Sequence, residues 1–209
     1  MTLVKICGIT NLADALAAIA AGADALGFNF YKGSPRYLAP QAARLVVREL
    51  PPDVLCVGVF VNESKEAVEA AVAESRVGAA QLHGDETPEF CAGLRVPRVI
   101  KALRARGGLE AASAALYKTE AVLLDAYDPR AWGGTGRTCD WELARRVRES
   151  VPRMYLAGGL TPENVAEAIA SVGPYGVDVC GGVESAPGRK DHALVRRFVE
   201  AVRGAGTEG

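Results

Sequence analysis

Short runs of valine, isoleucine, leucine and alanine alternate along the chain with longer alanine-rich stretches in which apolar positions recur at helical spacing. The runs predict strands at 3–7, 25–30, 55–61, 79–83, 98–101, 121–125, 153–157 and 176–180. The stretches that follow them predict helices at 11–20, 40–49, 64–74, 88–94, 109–117, 140–150, 162–172 and 192–202. Local chemistry agrees at several boundaries. Thr161 stands before Pro162 at a first helical position, Asp140 lies three residues before Leu143 as an N-cap does, and Gly22 suits a left-handed cap after the first helix.

Eight strand–helix units in 209 residues give about 26 residues each, close to the roughly 30 that a βαβ crossover takes counting both strands. An open doubly wound sheet and a closed barrel both fit such alternation. The count of eight favours the barrel, and neither terminal strand is lysine- or proline-rich in the way that free edges often are. The expectation is a single (βα)8 barrel over residues 1–203, followed by a disordered tail at 204–209 (GAGTEG).

Barrel strands turn alternate residues inward, so the polar positions become informative. Val4 and Ile6 would face the helices, leaving Lys5 and Cys7 facing in, with Cys7 at the carboxyl end. Gln81 and His83 share a face, Asp125 shares one with Leu123, and Asp178 shares one with Cys180. Polar groups then collect inside the end of the barrel where such folds do their chemistry. A buried charge there needs a partner, and closure of the eighth strand onto the first makes Lys5 and Asp178 an expected pair. Glycine pairs follow the last three strands, in "GGTG" (Gly133–Gly136), "AGGL" (Gly158, Gly159) and "CGGVE" (Gly181, Gly182). Such turns let backbone N–H groups approach an anion, and the loops after strands seven and eight of a barrel often hold a phosphate.

Each of these residues also has a plainer reading. Cys7 can be a small packed side chain, and Cys56, Cys91 and Cys139 read as packing residues. Asp125 can cap a turn, and His83 can be a core histidine bonded to backbone or a substrate contact. Arg36 can be solvated or can clamp a carboxylate. Lys101 reads as a neutraliser of inward carboxylates, and Glu184 and Asp191 as loop and helix-cap residues.

Composition narrows the classes. A net charge of −1 offers no basic field for nucleic acid or an anionic membrane. No apolar run reaches the roughly 18 residues of a membrane span, and the amino terminus lacks the apolar core of a signal peptide. Five scattered cysteines without a CxxC, and two histidines far apart, favour reduced thiols in the cytoplasm over disulfides or a zinc site.

The motifs "KICGIT", "FNFYKGSPRY", "VGVFVN", "QLHGDE", "LLDAY" followed by "GGTGRTCDW", "LAGGLTPENV" and "GVESAPGRKD" occur in this order. Together, over Lys5 to Asp191, they resemble the phosphoribosylanthranilate isomerase family of tryptophan biosynthesis. The resemblance implies a (βα)8 barrel with no metal and no organic cofactor, and a small phosphorylated sugar adduct as its partner. It implies an Amadori rearrangement of N-(5-phosphoribosyl)anthranilate to 1-(2-carboxyphenylamino)-1-deoxyribulose 5-phosphate. Carried over by motif, Cys7 is the general base and Asp125 the general acid, and Arg36 meets the anthranilate carboxylate. His83, Asp178, Gly133 and Gly134 line the substrate pocket, while Gly158, Gly159, Gly181 and Gly182 hold the phosphate. The chemistry asks Asp125 to begin with a proton and Cys7 to begin without one, and an inward Lys5 would favour the thiolate.

This chain reads "DVCGGVE" where the family usually reads "DVSSGVE". Losing a hydroxyl donor to a charged group costs about 1.5–3 kcal/mol unless backbone or water replaces it. Rival readings are another phosphosugar barrel enzyme and a non-catalytic phosphometabolite-binding barrel. A histidine-pathway isomerase would use paired aspartates where this first strand ends in Cys7. Oligomeric state, monomer or homodimer, is left open by the sequence.

Overall fold

A computed structural model describes residues 1–105, 110–126 and 140–205. Its strands are β1 (Leu3–Ile6), β2 (Ala25–Asn29), β3 (Leu55–Phe60), β4 (Ala79–Leu82), β5 (Val99–Ala105), β6 (Ala121–Ala126), β7 (Met154–Leu156) and β8 (Gly176–Val179). They pair in parallel, each with its sequence neighbour, and β1 pairs β8, so the sheet closes on itself. The helices are α1 (Leu12–Ala20), α2 (Pro40–Val47), α3 (Lys65–Ser75), α4 (Pro88–Ala92), α5 (Ala111–Ala114), α6 (Trp141–Ser150), α7 (Val165–Val172) and α8 (His192–Ala205). A short antiparallel hairpin, β9 (Glu184–Ala186) with β10 (Arg189–Lys190), sits between β8 and α8. No helix among the described residues is long and apolar enough to cross a membrane.

Two apolar layers follow from strand alternation. Val4, Ile6, Leu26, Phe28, Leu124, Val177 and Val179 point outward and pack against the helices. Val57, Ala79, Ile100, Ala102, Leu123 and Tyr155 fill the barrel itself. Burying one such large side chain is worth about 1.5–3 kcal/mol, so inverting a strand's parity would exchange a stabilising layer for buried polar groups.

Several boundaries differ from the periodicity. Strand β5 runs on past Lys101 because Ala102, Leu103, Arg104 and Ala105 all find partners along β6. Helix α5 is a single turn. Helix α7 begins at Val165, because Thr161 and Asn164 are used in the preceding turn: the Thr161 N–H donates to the Asn164 side chain at 2.8 Å. Helix α8 continues through Gly204 to Ala205, which packs on the core, so the first two residues of the expected tail are helical. Residues 206–209 lie outside the described residues, as do Gly133, Gly134, Gly136 and Cys139. The caps at Asp140 and Asp191 form as expected, each carboxylate accepting from two N–H groups of the following turn.

Candidate active site

Inward alternation brings Lys5, Gln81, His83, Asp125 and Asp178 to the carboxyl end of the barrel, all of them buried. Lys5 and Asp178 are register partners on β1 and β8, and their charged atoms meet at 2.7 Å. Burial pushes the Asp178 carboxyl up to about 6, with Lys5 opposing it. Burial alone would lower the Lys5 pKa, but Asp178 and then Cys7 outweigh it and raise it.

Cys7 follows β1 directly, and its N–H donates to the Val179 carbonyl at 2.8 Å. This continues the β1–β8 ladder by one residue and sets Cys7 beside Cys180. Both are free thiols. The Cys7 thiol is held well below its ordinary pKa. The largest cause is the hydrogen bond from Cys180; Lys5 and Lys190 add to it, against the opposing effect of burial. Cys180 moves the opposite way, its proton retained chiefly by the same bond to Cys7. Cys56 and Cys91 behave differently, because desolvation with no adjacent cation of comparable effect raises both, Cys56 to about 11. They are packing residues.

Arg36 is not solvated. Its Nε and one terminal nitrogen form a forked pair with Glu184, at 2.9 and 2.7 Å. A guanidinium has five N–H donors, so this grip still leaves donors for a second carboxylate. Glu184, read from sequence as a loop residue, is therefore a buried anchor. It also receives Lys190 Nζ at 2.8 Å, and Lys190 reaches the Cys180 carbonyl at 3.2 Å. Burial opposes the ionisation of Glu184, but Arg36 and Lys190 overcome it and lower its pKa. Glu184 and Lys190 both lie in "GVESAPGRKD", and the β9–β10 hairpin, with Lys190 paired to Glu184 in register, is what joins them.

Lys101 faces away from the barrel interior, because its neighbours Ile100 and Ala102 occupy the inward positions. It binds Glu86 at 2.8 Å and the carbonyls of Leu82 and Gly84, tying down the turn after β4. Among the described residues, the partners of the buried His83 ring are side chains rather than backbone. Its Nε2 lies 3.2 Å from Asp125 Oδ2 and its Nδ1 lies 3.1 Å from Gln81 Nε2. Asp125 Oδ1 accepts the Ala126 N–H at 2.8 Å.

Cys7, Arg36, Gln81, His83, Asp125, Asp178 and Cys180 together line one cavity of about 270 Å³. Gly158, Gly159, Gly181 and Gly182 form another part of its wall. Gly158 has φ +87°, and a Cβ there would fall 2.5 Å from the Ala126 nitrogen, so only glycine fits. A Cβ on Gly182 would strike the Leu160 carbonyl oxygen. Both turns therefore pack closely against neighbouring backbone in the cavity wall.

A depressed thiol and a carboxyl on one cavity, beside two glycine turns at the carboxyl end of a closed barrel, define an acid–base enzyme of the (βα)8 class. The chain belongs to the family of N-(5'-phosphoribosyl)anthranilate isomerases, whose model matches residues 4–201. It is 52% identical over 205 residues to the isomerase of that name from Trichlorobacter lovleyi, covering 98% of this chain and all of that one. The phosphoribosyl anthranilate isomerase of Thermotoga maritima superposes with a TM-score of 0.91 at 44% identity, over 98% of this chain and all of the other. A solved isomerase in complex with reduced 1-(o-carboxyphenylamino)-1-deoxyribulose 5-phosphate superposes with a TM-score of 0.87 at 42% identity, over 98% and 100% of the two chains.

Proposed function

We propose that this cavity converts N-(5-phosphoribosyl)anthranilate to 1-(2-carboxyphenylamino)-1-deoxyribulose 5-phosphate, with Asp125 as general acid and Cys7 as general base. The observation that carries the assignment is one cavity bearing both a thiol held toward its thiolate and a carboxyl 3.2 Å from a histidine ring. Asp125 protonates the ribose ring oxygen, and the C1–O bond breaks to leave a cationic Schiff base. The cation acidifies the C2 proton, which passes to the Cys7 sulfur. The enolamine then tautomerises to the ketone. The protons lost by Asp125 and gained by Cys7 are returned through product and solvent, so no atom is gained or lost and no cofactor is needed.

Arg36, held in place by Glu184, presents its remaining donors to the anthranilate carboxylate. The phosphate sits against the turns at Gly158–Gly159 and Gly181–Gly182. With Cys180 and Gly181 where the family usually has two serines, backbone N–H groups carry that contact. Every one of these roles comes from a single chain, so one catalytic barrel suffices in a monomer or a homodimer. Free thiols at Cys7 and Cys180 suit a reducing compartment such as the cytoplasm.

The test is loss of the anthranilate–ribosyl adduct, followed by its fluorescence. Turnover by the natural chain is expected. Tight binding of the adduct without turnover would make the chain a binding barrel and defeat the proposal.

A further inference from the structure

The hydrogen-bonded row Gln81–His83–Asp125 raises a question of proton placement that the reaction must answer. With its amide nitrogen toward the ring, Gln81 donates to His83 Nδ1, which must then be the nitrogen without a proton. The ring proton sits on Nε2 and points at Asp125 Oδ2, 3.2 Å away. A ring proton and a carboxyl proton cannot both occupy that contact. The other carboxyl oxygen already accepts the Ala126 N–H at 2.8 Å. In this arrangement Asp125 accepts in both of its contacts among the described residues, and neither of them holds a proton on the carboxyl.

Gln81 holds the alternative. Its side chain is buried at 1% exposure, and its Oε1 is a buried oxygen with no hydrogen-bond partner among the described residues. Turning the amide by half a revolution keeps its shape and exchanges oxygen for nitrogen. Oε1 gives up no bond in the turn. It gains the Nδ1–H of the ring in place of the N–H···N bond that Nε2 made. His83 then carries its proton on Nδ1 and leaves Nε2 bare toward Asp125, where it accepts a carboxyl proton from Oδ2.

We propose that Gln81 is a positioning residue for the acid: with Oε1 on His83 Nδ1 it sets the imidazole tautomer that keeps a proton on Asp125. This rests on Asp125 being the acid, but its first readout does not. The chain has two histidines, so ¹⁵N-histidine labelling with long-range ¹H–¹⁵N correlation gives two ring systems to assign. His192→Asn, on the helical shell where its ring meets Asp14 at 2.8 Å, identifies the His83 signals.

The expected result in the substrate-free enzyme is a protonated Nδ1 and a bare Nε2 on His83. Gln81→Met should lose that preference and lower kcat on the order of 10-fold, a part of the 10²–10⁴-fold that a positioned acid supplies, with little change in KM. Gln81→Glu, whose carboxylate can only accept, should restore the Nδ1 proton. A natural enzyme with its ring proton on Nε2 overturns the proposal, and so does a Gln81→Met enzyme that keeps the Nδ1 tautomer, whatever its kcat. Should Gln81→Met fail to fold, the tautomer of the natural enzyme still decides. An Asp125→Asn enzyme with undiminished turnover would remove the acid assignment and leave the tautomer result standing.

Discussion

The two sides of the cavity are built from opposite materials. Around Cys7 stand Lys5, Lys190 and Arg36, each tied to a buried carboxylate, so positive charge is packed near the sulfur and held in place. Around Asp125 the direct side-chain contact among the described residues is an imidazole, backed by an uncharged amide. Cations favour a thiolate, and on the other side an imidazole and an amide stand where the tied cations would be. The proposed base and the proposed acid thus meet protein groups of different charge within one pocket.

The strongest way to break this contrast is to delete each pole. Cys7→Ala should lower kcat by about 10²–10⁴-fold with substrate affinity nearly unchanged, and Asp125→Ala should do the same. An unaltered kcat in either variant, measured by adduct fluorescence, would remove that residue from the mechanism.

Stripping the base side of one cation comes next. Lys5→Met leaves the buried Asp178 without its partner, and removing one member of a buried pair costs about 3–5 kcal/mol. Chemical denaturation should show that loss. Stability unchanged to within 1 kcal/mol, a margin of roughly fivefold in the folding constant, would mean that Asp178 finds another partner. Arg36→Met should mainly raise KM, on the order of 10–100-fold, from the worth of a charged hydrogen bond, while kcat stays close to normal. A normal KM would reassign the carboxylate contact.

The smallest expected effect is on pH. The folded Cys7 pKa lies below the unfolded value of about 8.5. Deprotonation therefore favours the folded state: the contribution is complete above about 8.5 and is lost as pH falls through the folded value. Activity that depends on the thiolate should fail on the acid side at the same folded value. Cys180→Ala removes the hydrogen bond that is the largest cause of the depression, so the acid limb should move to higher pH, whereas Cys180→Ser should keep it near its place. The pH dependence of iodoacetamide alkylation reports this directly. Identical profiles in all three proteins would mean that the cations alone hold the thiolate.

Much of this was legible in residue order, for reasons that can be stated locally. Strand positions were readable because a fully buried strand is a short β-branched run, and inward residues because side chains alternate with period two. Lys5, Gln81, His83, Asp125 and Asp178 fell on the inner face by that count. Closure of eight units then made Lys5 and Asp178 neighbours. Helix ends were less legible. The start of α7 depended on how Thr161 and Asn164 spent their side chains, and the end of α8 on whether Ala205 found core to cover.

The sequence by itself determined the period of the elements, their number and the parity of each inward group, since these depend only on neighbours a few residues apart. Apart from the Lys5–Asp178 pair that barrel closure implies, only the tertiary structure decided the company those groups keep. Arg36 and Glu184 are 148 residues apart in the chain, and His83 and Asp125 are 42 apart. No local rule couples such positions. Only when the barrel closes are they forced out of water together, and a buried charge or ring nitrogen must then take whatever partner the fold brings within reach.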